Sequence, residues 1–267
     1  MFEDISGHKK QLEFLENAIK RDRLAHAYTF AGPDSVGKRT VALRLAQELL
    51  QADGNNFHPD LLIIERPEDK KVIVIEQIRE LVYKLSLLPY QAKYKVALID
   101  NAEDLNEEAA NALLKCLEEP KPSTIIILIT GNSNRLPKTI ISRTQKINFG
   151  LVAGPEFEKA GGKPGLARKM ADDKEFLETY VTSENFYRTF IGSTLPEKLI
   201  AAYEIADMET PEIKNLLETW LVKLQAVLQT KAGKALADRI SQVAQARRFL
   251  DQNANAKLLL TNLMLNT

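Results

Sequence analysis

The densest chemistry in the 267-residue chain lies in Gly32-Pro-Asp-Ser-Val-Gly37-Lys38-Arg39-Thr40. Two glycines at this spacing, followed by a lysine, let a backbone curl around phosphate. The N–H groups turn inward, the following helix N-terminus adds partial positive charge, and the lysine reaches the outer phosphates. The motif calls for Ser or Thr directly after the lysine, to set a hydroxyl on Mg²⁺, and that residue here is Arg39. A guanidinium cannot ligate a cation. Thr40 carries a hydroxyl one residue late, about 100° further around a helix and so turned away from the metal. Two readings stay open: a loop that binds nucleotide through Gly32, Gly37, Lys38 and Thr40, and a loop that keeps the shape after its chemistry has decayed.

The second element of such a site is an apolar strand ending in an acid that orders Mg²⁺, with a neighbouring carboxylate to activate water. Val96-Ala-Leu-Ile-Asp100 supplies the strand and the acid, but the next residue is Asn101. An amide orients a water and cannot take its proton. Glu103 is two positions further on and is expected as a solvated loop or helix-cap carboxylate. Arg39 and Asn101 are independent departures, and both remove hydrolysis rather than binding. Together they favour a non-hydrolysing loop over an efficient ATPase.

These residues need a scaffold, and the apolar pattern predicts one. Strands are expected at Ala27 to Ala31, Leu61 to Glu65, Lys95 to Asp100, Thr124 to Thr130 and Gln145 to Phe149. Four of them are nearly continuous apolar runs, as strands covered on both faces require. Helices are expected at Gln11 to Arg21, Lys38 to Gln51, Ile75 to Leu87 and Asn106 to Glu119. Strands alternating with helices make a parallel α/β domain. After Phe149 the strand signal ends and a Gly/Pro-rich stretch, 150–165, marks a boundary. From Pro196 onward apolar residues recur at helical spacing, among them Leu217, Trp220, Leu221, Leu224, Val227 and Leu228, and Gly233 precedes a further helix from Ala235 to Leu250. The C-terminal third is expected to be an all-helical bundle.

Composition narrows the classes of function. With 36 Lys+Arg against 36 Asp+Glu, the surface as a whole has no electrostatic pull on nucleic acid or membrane, so any nucleic-acid contact must be local or shared with partners. One cysteine, Cys116, excludes an internal disulfide and a Cys-rich zinc site, and it sits in a helical pattern as a small core residue. With three histidines in all, His58 among them, a metal-ligand constellation is not expected. No apolar run approaches a membrane span, and MFEDISGHKK has no signal-peptide core, which gives the expectation of a cytoplasmic protein.

Leu24-Ala-His-Ala-Tyr-Thr-Phe, Asn111-Ala-Leu-Leu-Lys-Cys-Leu-Glu-Glu-Pro120 and Asn134-Arg-Leu-Pro-Lys-Thr-Ile-Ile-Ser142-Arg143-Thr144 together resemble the clamp-loader branch of the AAA+ proteins. The resemblance is dense from Ile5 to Phe149. It is thinner over the helical third, where Asn253-Ala-Asn-Ala-Lys-Leu-Leu-Leu-Thr-Asn-Leu is similar to the end of the family's collar domain. It implies an AAA+ phosphate-loop domain over 1–149, an abbreviated lid over 150–190 and a helical collar for oligomerisation over 191–267.

The resemblance also assigns roles. Arg143 corresponds to the arginine that reaches a neighbouring subunit's ATP, a fixed cation stabilising charge on the transferred phosphoryl group. The alternative is a surface arginine in an ordinary salt bridge. Thr144 departs from the family's Ser-Arg-Cys. Thr130 and Asn132 fall in the sensor region beside the γ-phosphate, although a strand-ending Asn is also a common turn residue. Arg168 falls near the second sensor on the lid, or is a solvated helix charge. Ile5 and Gly7 resemble the stretch beside adenine. Many relatives carry four zinc-binding cysteines after the phosphate-loop helix; here Gln51 to Asp60 is short and cysteine-free, so no metal is expected.

The implied function is assembly into a DNA polymerase III clamp loader. This chain would supply Arg143 in trans to subunits of the gamma/tau type, beside a delta-type subunit. The complex would place the sliding clamp on primed DNA, and Arg39 in place of the hydroxyl counts against ATP with Mg²⁺ at the chain's own loop. The rivals are an active gamma/tau-type ATPase of the same fold and, more distantly, an unrelated phosphate-loop kinase.

Overall fold

A computed structural model describes residues 2–52, 58–67, 70, 72–230, 233–252 and 254–266. The chain divides into two compact units, Met1–Met170 and Ala171–Thr267.

The first unit runs α1 (Lys9–Lys20), β1 (Ala27–Ala31), α2 (Lys38–Leu50), β2 (Leu61–Ile64), α3 (Ile75–Ser86), β3 (Lys95–Ile99), α4 (Glu107–Glu118), β4 (Thr124–Thr130), α5 (Lys138–Ile141), β5 (Gln145–Asn148) and α6 (Pro164–Asp172). All five strands are parallel, in the order β2-β3-β4-β1-β5. The central strands β1, β3 and β4 are buried along their whole length because helices cover both faces. Alternate side chains go to opposite faces. Tyr28, Phe30, Val96, Leu98, Ile125, Ile127 and Ile129 pack against Leu15 of α1 and Val41, Leu45 and Leu49 of α2. Ala97, Ile99, Ile126 and Leu128 pack against Ile78 and Leu81 of α3 and Leu113 and Leu117 of α4.

Two buried charged groups fix the connection between α3 and β3. Asp60 is fully buried and accepts the N–H groups of Tyr90, Gln91 and Ala92 at 2.6, 2.8 and 3.0 Å. Lys95 Nζ donates to the carbonyls of Lys84, Leu87 and Leu88. A loop held from both sides still presents Leu88 and Tyr90 to solvent.

In the second unit the described regular structure is all helix: α7 (Lys174–Gly192), α8 (Leu195–Ala206), α9 (Thr210–Thr230), α10 (Lys234–Asp251) and α11 (Ala256–Leu265). Its core is built on fully buried Trp220, stacked on Phe190 with ring centroids 4.6 Å apart and surrounded by Leu217, Leu224, Val243, Leu250 and Leu260. Helix begins earlier than the apolar spacing predicts. Asp173 caps α7 by accepting the Phe176 N–H, and α7 keeps a single buried residue, Phe190, so its face gives little periodic signal. None of the described helices is long and apolar enough to cross a membrane.

Candidate functional site

Parallel strands end together, so the C-terminal ends of β1, β3 and β4 deliver the loop after Ala31, Asp100 and Thr130 to one edge of the sheet. Gly32 N–H donates to the Thr130 carbonyl at 3.2 Å, which ties the start of the loop to the end of β4. The loop then turns through left-handed backbone at Ser35 (φ 61°) and Gly37 (φ 103°), and Gly37 caps α2.

Lys38 is buried, with Nζ donating to the carbonyls of Gly32 at 2.6 Å and Pro33 at 2.7 Å and lying 3.8 Å from Asp34 Oδ1. Burial pushes its ammonium pKa down, against the opposing pull of Asp34, Glu103 and Asp100. The lysine thus braces the loop from within. Thr40 lies exposed on the first turn of α2.

Arg39 stands in salt bridges to both flanking strands. One guanidinium nitrogen is 3.0 Å from Asp100 Oδ2, and the other pairs with Glu65, just past the end of β2. The other Asp100 oxygen accepts the Asn101 N–H at 3.0 Å. The acid that would order Mg²⁺ is therefore occupied by a cation of the chain itself, and the donor set does not fit a divalent ion. Among the described residues no group of three or more His, Cys, Asp or Glu is placed to hold a metal.

Glu103 is a correction to the sequence reading. It is not a solvated loop carboxylate: Oε1 accepts the Gly131 N–H at 2.8 Å, Oε2 is buried without a partner, and the charge acts on Lys38. Glu65 was missed altogether, because its role appears only when β2 and β3 are side by side. Asn101 is exposed in left-handed backbone.

Thr130 is buried, and its hydroxyl accepts the Asn132 N–H at 3.1 Å. The Asn132 side chain in turn accepts the Asn134 N–H at 3.0 Å, closing a turn. Arg168 lies exposed on α6, whose start is seated on the loop: the Gly165 N–H donates to the Ser35 carbonyl at 2.8 Å. Ile5 packs on the core between the sheet and α2, and Gly7 has left-handed backbone. His58 accepts the Asp60 N–H, and most of the loop before it lies outside the described residues. Cys116 packs against the α3/α4 core, and burial pushes its thiol pKa up.

Arg143 is not part of this cluster. It donates to the Thr139 carbonyl and the Ser142 hydroxyl and pairs with Glu118 Oε1 at 2.9 Å. The register sets Gln145 opposite Tyr28 and Asn148 opposite Ala31, so Arg143 precedes the N-terminal edge of the sheet. At about 3.3 Å per residue its backbone is roughly 20 Å along the strands from Gly32, beyond the reach of one side chain. Thr144 has a structural use: its hydroxyl bonds that of buried Thr29 at 2.7 Å.

A family model described as DNA polymerase III, delta subunit, matches residues 7–152, just over half of the chain. DNA polymerase III subunit delta' of Bacillus subtilis is 35% identical over 180 residues, covering 60% of this chain and 54% of that protein. The delta' subunit of Pseudomonas aeruginosa is 37% identical over 169 residues, 57% of this chain and 50% of its own. Subunit tau of Bacillus subtilis is 34% identical over 164 residues, 55% of this chain and 29% of that protein. The matched region thus spans about half the length of the delta' relatives and less of tau. A DNA polymerase III gamma subunit-related protein of Thermotoga maritima has a similar fold, with TM-score 0.55 at 19% identity over 94% of this chain and 97% of that one. The matched span 7–152 lies within the unit that carries the phosphate loop and sheet, Met1–Met170, and the chain belongs to the DNA polymerase III delta subunit family.

Proposed function

We propose that the chain is a clamp-loader subunit of the delta-prime type. It does not hydrolyse ATP itself, and it supplies Arg143 in trans to the ATP of a neighbouring gamma/tau-type subunit. The observation that carries the first half is Arg39, whose guanidinium pairs with Asp100 and Glu65 where an active site needs a hydroxyl and a metal. The second half is supported by the position of Arg143 at the opposite end of the strands from the chain's own loop, partly exposed and held by a surface pair that a partner's phosphate can outcompete. In this reading 150–190 is the abbreviated lid and 191–267 the collar that assembles with gamma/tau and delta-type subunits. Clamp and primed DNA are engaged by the whole complex, in the cytoplasm.

The gamma/tau-type reading shares the fold and has relatives of nearly equal identity. ATP turnover by the isolated chain separates the two. The expected result is no turnover above background, unchanged by Lys38→Ala. Turnover that Lys38→Ala abolishes establishes the active-ATPase reading instead.

A further inference from the structure

The sheet-edge cluster contains more charge than a vestigial loop needs, and its arrangement is specific. Lys38 and Arg39 face Asp34, Glu65, Asp100 and Glu103. Four carboxylates against two cations leave the site negative, and a nucleoside triphosphate would bring further negative charge. Arg39 bridges the ends of β2 and β3 from the first turn of α2, so any divalent ion must displace a cation tethered to the chain, and the planar guanidinium suits two carboxylates. A second contact closes the loop from the other side: Gly165 N–H donates to the Ser35 carbonyl at 2.8 Å. A Cβ at Gly165 would lie 2.9 Å from that same oxygen, so the approach is close enough to require glycine.

We propose that the phosphate loop is a self-closed clasp in which Arg39 holds the metal's seat, and that Arg39 is the residue that excludes metal–nucleotide from this chain. The inference rests on the non-hydrolysing reading above and adds its cause. Lys38 donates to two carbonyls of the loop itself, and the Gly165 N–H seats the start of α6 directly on the Ser35 carbonyl, so the loop is braced by groups of the chain. The loop is then a joint whose order does not depend on a ligand.

The test uses the full chain, with Mn²⁺–ATP as probe, read by electron paramagnetic resonance of free Mn²⁺ and by melting temperature. Wild type is expected to bind no Mn²⁺–ATP and to show no shift. Arg39→Ser and Arg39→Thr restore the hydroxyl and release Asp100 and Glu65. Each is expected to bind Mn²⁺–ATP and, at about a hundred times its Kd, to melt roughly 5–10 °C higher, with the gain lost in EDTA. Arg39 is half-exposed on a helix surface, so neither change touches the core. Saturable Mn²⁺–ATP binding by wild type overturns the proposal, as do folded Ser and Thr variants that gain nothing. If the variants gain nothing while the isolated chain still lacks turnover, the clasp falls and the non-hydrolysing reading stands. Turnover by wild type removes the reading itself.

Discussion

Replacing Gly32 with alanine separates what the loop's glycines do for phosphate from what they do for the fold. A Cβ at Gly32 would lie 2.0 Å from the Phe149 carbonyl oxygen and 2.9 Å from its carbon. An ordinary contact between carbon and oxygen is about 3.3 Å, so more than an ångström must be recovered by moving backbone. Phe149 is poorly placed to give way: its N–H donates to the Ala31 carbonyl at 2.7 Å, and its buried ring packs on His8 and Phe30. Losing that hydrogen bond costs about 1 kcal/mol, and loosening a buried aromatic contact costs a further 2–3 kcal/mol or so. Gly32→Ala is therefore expected to cost about 3–4 kcal/mol with no nucleotide anywhere in the assay. Gly37→Ala is the control: its φ is 103°, but nothing lies within 4 Å of the added methyl, so only backbone strain of about 1–2 kcal/mol is expected. Urea unfolding followed by circular dichroism and Tyr fluorescence measures both. A Gly32→Ala chain as stable as Gly37→Ala refutes the packing argument and returns Gly32 to a purely phosphate-binding role.

Asp60→Asn is expected to cost roughly 2–4 kcal/mol, since an amide retains one acceptor oxygen for three N–H donors and loses the charge. Burial alone would raise the Asp60 pKa, but the three N–H donors outweigh it and hold the carboxyl below its usual range. Its contribution is therefore complete above the ordinary carboxylate value near pH 4 and is lost as pH falls through the lower folded value; Asp60→Asn should flatten that part of the acid stability curve. Trp220→Ala empties the centre of the second unit and should cost about 3–5 kcal/mol there. The check is urea unfolding followed by far-ultraviolet circular dichroism, with lower melting expected. A cost below 1 kcal/mol contradicts the assigned core.

The strands were legible because β1, β3 and β4 are covered on both faces and so read as unbroken apolar runs, whereas their order, β2-β3-β4-β1-β5, is set by long-range pairing and was not legible. At the site, the sequence identifies Arg39 as a residue that cannot ligate metal. It cannot identify the partners, because Glu65 and Asp100 are 35 residues apart in the chain and meet only through the pairing of β2 with β3. Glu103 escaped for the same reason: its acceptor role depends on Gly131 at the end of a different strand. Thr144 reads as a departure from a motif until Thr29 is set beside it. Long-range pairing, rather than local propensity, separates the residues that were found from those that were not.

The central claim is that this chain acts on a neighbour's ATP and not on its own. Its most direct test is Arg143→Ala in a complex reconstituted with gamma/tau-type and delta-type subunits, sliding clamp and primed DNA, with DNA-dependent ATP hydrolysis measured against the wild-type assembly. The variant loses a surface pair with Glu118 and should fold and assemble normally. The ATP site facing this chain should slow by roughly 10³-fold or more, and Arg143→Lys should not restore it. An Arg143→Ala complex that assembles and hydrolyses ATP at the wild-type rate contradicts the account.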